Sequence, residues 1–339
     1  MEISILGIDT AKRVFHLCGL NKAGRVVLKK SVQRSKFVET VINCNAELLA
    51  LEACAGSHHW ARTFKSYNLD VKLLAPQFVK AYVKSNKTDM ADAEAIAEAA
   101  SRPTMRFVAI KSVVQQDLQA LHRTRERFIK QKIAISNEIR GLLSEYGVTF
   151  AQGFSTLKKF LSIELSENTE LSSMLKDLIF DLYQEFKRVD ENVKKYDLLL
   201  KRISRNHPVA KRLTTIPGIG PVCATACLAA VGSAHDFKNG RHFASWLGLT
   251  PREHSSGGKQ KLYGISKRGN SYLRKQLIHG ARSVSYYAKN GKDINSLWIK
   301  GIMQRSGTNK AVVALANKNA RIIWSLMKTE NTYQPTMAH

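Results

Sequence analysis

The sequence predicts an α/β domain followed by mainly helical structure, and three observations carry that reading. The first hundred residues alternate short apolar runs with helical patterns. Two long stretches between residues 113 and 204 repeat apolar residues at spacings of three, four and seven. Beyond His207-Pro208 the chain becomes a series of Gly-punctuated helices running to about Met327. These shifts divide the chain into domains at 1–112, 113–204 and 205–328, with a frayed tail at 329–339 that contains Pro335.

Ile3–Ile8, Val14–Leu20 and Val26–Lys30 read as three strands joined by Gly/Asn/Lys turns, hence as antiparallel hairpins. A helix at Lys36–Cys44 follows, then a buried strand at Leu48–Ala53, a helix at His58–Ser66, a strand at Val71–Leu74 and a helix at Ala91–Ala100 stopped by Pro103. Three adjacent strands, then strands alternating with helices, is the order of a mixed, ribonuclease-H-like sheet. Val113–Tyr146 lacks proline and sets Leu118, Leu121, Phe128, Ile135, Ile139 and Leu142 on one stripe. Leu175, Leu178, Leu182, Phe186, Val189, Val193, Tyr196 and Leu200 form a second stripe. Together they read as an antiparallel coiled-coil hairpin, suited equally to dimerisation and to packing within one chain.

The formal net charge of +26 far exceeds what solubility requires, so a polyanionic partner is expected, with nucleic acid foremost. The excess is uneven. Residues 1–150 carry 23 basic and 14 acidic side chains, residues 151–205 carry 10 and 9, and residues 206–339 carry 20 and 4. A membrane-surface role would need an amphipathic anchor, and none is visible; nor is a signal peptide or an uninterrupted apolar span. Five cysteines without Cys-x-x-Cys pairs fit reduced thiols in a cytosol rather than a zinc site.

Asp9 ends the first strand in Gly7-Ile-Asp9-Thr-Ala-Lys12, and Glu52 closes the Leu48–Leu51 run in the same way. Acids at the ends of buried strands are costly unless paired or bound to a cation. Asp89 and Asp92, three apart at a helix start in Lys87-Thr-Asp89-Met-Ala-Asp92-Ala, share one helical face; ordinary N-terminal capping would explain either alone. Four acids at two strand ends and one helix start, in an otherwise basic domain, point instead to a hard divalent cation, Mg2+ or Mn2+. Such a site can act on a phosphodiester. Glu94 and Glu98 read as solvated helix residues.

In the basic third, Pro217-Gly218-Ile-Gly220-Pro221 has the look of a helix–hairpin–helix element, whose glycines make a tight turn and offer backbone N–H groups to a phosphate. Further on, Arg252-Glu-His-Ser255-Ser256-Gly-Gly-Lys259 precedes Gly264-Ile-Ser-Lys267-Arg268-Gly-Asn270, with Arg274 beyond. Two serines beside flexible glycines, flanked by Arg252, Lys259, Lys267, Arg268 and Arg274, suit an exposed hydroxyl near a bound phosphate. A phosphate-loop nucleotide site is excluded, because it requires Gly where Glu253 stands.

Taken in order, these motifs closely resemble the DEDD transposases of bacterial insertion sequences, the RNA-guided bridge recombinases. The Ser-Ser-Gly-Gly-Lys form resembles that family's eleven-eleven group, and the resemblance spans nearly the whole chain. It implies a RuvC-like fold, DNA cleavage and rejoining through a covalent phosphoserine, donor and target DNA, an element-encoded bridge RNA, a homo-oligomer built as a dimer of dimers, and a place at the bacterial nucleoid. It assigns the metal-binding acids to Asp9, Glu52, Asp89 and Asp92 and the nucleophile to Ser256. Ser255 stays in reserve, since reading alone does not separate adjacent serines. A hydrolytic, junction-resolving nuclease without a covalent intermediate is the competing reading. A non-catalytic scaffold whose acids only cap helices and pair with cations is another.

Overall fold

The structure, a computed structural model, describes residues 2–84, 88–165, 168–232 and 234–334; Lys87 of the acidic motif and Pro335 of the tail lie outside the described residues. Two units emerge, Met1–Val113 and Val114–His339.

In the first unit, β1 (Ile5–Asp9), β2 (Val14–Leu20) and β3 (Val26–Gln33) form an antiparallel meander. β4 (Leu48–Glu52) and β5 (Val71–Leu74) then add in parallel on the other side of β1. A two-residue strand, β6 (Phe107–Val108), closes the far edge antiparallel to β5, giving the order β3-β2-β1-β4-β5-β6. This mixed six-stranded sheet is consistent with the ribonuclease-H-like architecture expected from the strand pattern. β6 was not anticipated, because two residues carry no periodicity.

Strand alternation sorts the two faces of the sheet. Leu6, Ile8, Phe15, Leu17, Leu49 and Leu51 pack under α1 (Phe37–Asn43) and α2 (Ser57–Ser66), around the stacked rings of Phe15 and Phe37 at 3.8 Å with Trp60 edge-on. The opposite face receives α3 (Asp89–Ala100), an alanine-rich helix. Its small side chains let it sit directly on β1 at Gly7, where a methyl group would collide with the carbonyl of Ala93.

The second unit begins with two long helices, α4 (Val113–Ser144) and α5 (Ser173–Asn206). Contacts between them run antiparallel: Arg125 pairs with Asp197 at 2.6 Å, Phe128 stacks on Tyr196, and Lys132 meets Asp190 at 2.5 Å. Ile135, Ile139 and Leu143 share a core with Leu175, Ile179, Phe186 and Val189, into which the segment between the helices inserts Leu157, Phe160 and Leu161. Leu178, expected on the apolar stripe, is exposed, and Ile179 takes the core position. The helix phase set by Leu175, Phe186 and Val189 turns residue 178 outward.

Asp190 is buried and takes three lysines, Lys132, Lys158 at 2.6 Å and Lys194 at 3.2 Å. Burial pushes its carboxyl up, but the hydrogen bonds from these lysines outweigh that and hold it well below the usual carboxylate range. Because the folded pKa lies below the unfolded one, near 3.8, this contribution is present above that pH and is lost as pH falls through the folded value. Asp190→Asn is expected to destabilise the unit by about 3 kcal/mol, read as a lowered urea midpoint, because it leaves the half-buried Lys132 ammonium without its counter-ion.

The rest of this unit surrounds one apolar core that includes Leu213, Cys227, Phe243, Leu277, Ala316 and Ile323. Its helices are α6 (Pro208–Leu213), α7 (Pro221–Ala230), α8 (Gly240–Trp246), α9 (Ser271–Ala288), α10 (Ile294–Ser306) and α11 (Thr308–Lys328). The expectation of helices throughout this region needs one correction. Between α8 and α9 stands a hairpin of β7 (Pro251–Glu253) and β8 (Leu262–Ile265). No described helix is long and apolar enough to cross a membrane.

Candidate active site

The alternation that buries Leu6 and Ile8 turns Ile5, Gly7 and Asp9 toward α3. The same parity on β2 and β4 brings His16, Cys18, Ala50 and Glu52 to that face. Parallel pairing of Ile8 with Leu51 sets Glu52 on the strand end neighbouring Asp9, and antiparallel pairing puts His16 opposite Asp9. A contact of 3.0 Å between Thr10 Oγ1 and Cys54 Sγ ties together the loops that leave the two strands. Four candidate acids are thereby gathered at one end of the sheet by its register and by the seat of α3 on Gly7.

Asp89 and Asp92 open α3, but the cap itself is Thr88, whose hydroxyl accepts from the Ala91 N–H at 3.2 Å. Neither aspartate is needed for capping. Asp89 lies 3.8 Å from His16 Nδ1, a histidine that the sequence reading passed over. Its signal was present in the Phe15-His16-Leu17 alternation, which turns a polar ring to the face opposite the core. Burial, then the negative charges of Asp92 and Asp89, push the Asp9 carboxyl up, against smaller opposing effects of His16 and the Thr10 backbone. Glu52 and Asp9 together also raise the Cys54 thiol, after the larger effect of burial. Glu94 and Glu98 stand apart, paired with Lys29 and with Lys84 and Arg102.

Among the described residues, no three His, Cys, Asp or Glu side chains already enclose a metal position. The donor set still fits a hard divalent cation. It offers oxygen ligands with surplus negative charge, and the burial and the repulsion that raise Asp9 are both what a cation would offset.

Ser256 stands at the tip of the β7–β8 hairpin. Gly257 and Gly258 both adopt positive φ, at 56° and 75°, and Lys259 N–H returns to the Ser256 carbonyl at 3.1 Å, as in a type I′ turn. The Gly-Gly pair was the sequence signal for this hairpin. Ser255 Oγ donates to Glu253 Oε1 at 2.6 Å and accepts from Lys261 N–H at 3.3 Å, so it braces the turn. Ser256, also exposed, has no side-chain hydrogen bond among the described residues.

The basic candidates differ in their surroundings. Arg252, Lys259, Lys267 and Arg268 are exposed. Arg274 is half-buried and donates from Nη1 to the carbonyls of Leu247 and Arg268 at 2.9 and 3.0 Å, fixing the loop that enters α9. Gly218, at φ +85°, packs against the backbone of Gly280 on α9, so its missing side chain serves a helix contact rather than an open surface. Gly220 does face open space, in a recess lined by Lys201, Arg205 and Lys211.

Lys267 holds a left-handed backbone, φ +55°, which costs a side-chain-bearing residue about 1–2 kcal/mol. Lys267→Gly is therefore expected to raise thermal stability by about 1 kcal/mol while weakening nucleic-acid binding. Paired melting and filter-binding curves check it; reduced stability in the glycine variant would show that the backbone is not strained.

Comparison with known proteins gives two family matches in succession along the chain. Residues 6–148 match the DEDD family model of the IS110 type, described as transposase, and residues 210–296 match the transposase IS116/IS110/IS902 family. The transposase for insertion sequence element IS1111A of Coxiella burnetii is 46% identical across 98% of this chain and 92% of its own length. The transposase for insertion sequence element IS1328 of Yersinia enterocolitica is 36% identical across 98% of each. A pilin gene-inverting protein of Moraxella bovis is 26% identical, again across 98% of each. Near-full-length identity at this level, with both family models in the same order, places this chain in the IS110 family of insertion-sequence transposases, enzymes that act on DNA.

Proposed function

We propose that this transposase breaks and rejoins DNA with Ser256 as nucleophile, and that Asp9, Glu52, Asp89 and Asp92 hold a divalent cation, Mg2+ or Mn2+. The observation that carries the reading is the contrast between neighbouring hydroxyls: Ser255 is hydrogen-bonded within the turn, and Ser256 stands exposed at its tip. Attack forms an Oγ–P bond and breaks one bridging P–O bond, with the serine proton leaving and the departing deoxyribose oxygen gaining one. The phosphoserine keeps the bond energy needed for rejoining. A bound divalent cation supplies charge neutralisation at the phosphate. The acids would hold it, with His16 Nδ1 3.8 Å from Asp89.

Arg252, Lys259, Lys267 and Arg268 hold the DNA backbone, and the recess at Gly220 offers a second phosphate seat. A relative named for inverting a pilin gene fits a reaction that rejoins as well as cuts. The same reading gives target choice to an element-encoded bridge RNA, makes α4 and α5 the arm of a dimer of dimers, and places the protein at the nucleoid. The test is to incubate the protein with labelled donor DNA, guide RNA and Mg2+, denature in detergent, and map any adduct. A phosphopeptide at Ser256 is expected; cut DNA with no adduct would make the protein a hydrolytic nuclease.

A further inference from the structure

The walls of the β7–β8 hairpin and α11 enclose an open groove of about 1440 Å3 that none of the motifs above explains. Its floor and sides are partly apolar, from Leu249, Ile265, Val313 and Ala314. Two aromatic rings reach it, Tyr263 on β8, 49% exposed, and Trp298 on α10, 36% exposed. Lys318 lies over Trp298 at 4.7 Å and is held there by Asn295 Oδ1 at 2.9 Å, so the ring is braced. Tyr263 is steadied at an edge by His254.

The charges that line this groove are all of one sign. Arg252, Lys267, Lys310, Lys318 and Arg321 line the groove, no acidic residue does, and none of the five joins an ion pair among the described residues. A set of uncompensated cations flanking exposed rings is the chemistry of a polyanion whose flat groups are free to stack. Duplex DNA does not meet that description, because its base faces are already covered by neighbouring bases. An unpaired strand does, and in it every base presents a face.

We propose that this groove seats an unpaired nucleic-acid strand, with bases stacked on Tyr263 and Trp298 and phosphates against Arg252, Lys267, Lys310 and Arg321. The left-handed backbone at Lys267 then has a purpose, since it delivers an ammonium to the groove wall. The hairpin that forms this wall continues into the turn carrying Ser256, at most roughly 25 Å of extended chain from Tyr263. A strand held in the groove is kept single beside the nucleophile. The proposal rests on the reading of Ser256 as the reacting group, but its test does not depend on that residue.

Binding is measured with the full-length protein and three fluorescent probes, a twelve-residue oligo-dT, a twelve-residue oligo-rU, and a twelve-base-pair duplex. Tyr263→Ala with Trp298→Ala is expected to weaken binding of one or both single strands by about 10- to 100-fold, with less than about a twofold change on duplex. Tyr263→Phe with Trp298→Phe is expected to restore most of the loss, which a misfolded protein would not show. Whichever single strand loses more identifies the occupant as DNA or RNA. Unchanged single-strand binding, or an equal loss on duplex, overturns the proposal. The same measurements in a Ser256→Ala background separate the two readings. Loss of the covalent adduct with single-strand binding unchanged by the ring variants supports the nucleophile alone, and an adduct that persists while the ring variants lose single-strand binding supports the groove alone.

Discussion

Ser256→Ala is expected to fold, to bind nucleic acid within about twofold of the parent protein, and to form no covalent adduct, with strand exchange reduced on the order of 1000-fold or more. The side chain supports nothing in the hairpin, since the turn is held by the Gly257 and Gly258 backbone and by the Ser256 carbonyl. Only chemistry should be lost. Ser255→Ala removes a donor to Glu253 and an acceptor for Lys261, so it should loosen the turn and slow the reaction by about tenfold without abolishing the adduct. Denaturing electrophoresis of labelled DNA, followed by peptide mapping, separates the cases. An adduct on Ser255 would move the nucleophile by one residue. Cleavage by Ser256→Ala without an adduct would remove the serine mechanism.

Asp9→Asn should also abolish strand cleavage, again on the order of 1000-fold, while making the cation-free protein more stable. The sign follows from the raised pKa. A carboxyl whose folded pKa exceeds its unfolded value binds protons more readily when folded, so its ionisation opposes folding as pH rises through that interval. The amide removes the cost of burying that charge and, with it, the repulsion from Asp92 and Asp89. The expected result is a melting temperature a few degrees higher at neutral pH without divalent cation, and a smaller rise on adding Mg2+ than in the parent protein. Glu52→Gln and Asp92→Asn should likewise abolish cleavage. Near-normal cleavage by two of the three variants would defeat the four-acid assignment, and a lowered melting temperature for Asp9→Asn would show that the carboxylate stabilises the fold by itself.

The sequence by itself determined the family motifs, the run of strands and helices in the first unit, and the residues worth testing. Alternation and strand-terminal acids are local signals, and local signals survive in a linear reading. Asp9 and Glu52 could be named because an acid closing an apolar strand conflicts with its surroundings at the level of a few residues. What only the tertiary structure decided depends on contacts between distant segments. His16 joins the acids through pairing register, and Gly7 admits α3 because the helix needs backbone contact there. Gly218 is absorbed by Gly280 more than sixty residues away. The different surroundings of Ser255 and Ser256 could not be read from two identical letters. They arise only when the hairpin gives one hydroxyl to Glu253 and Lys261 and leaves the other at the exposed tip, because hydrogen-bond commitment is a property of three-dimensional neighbours.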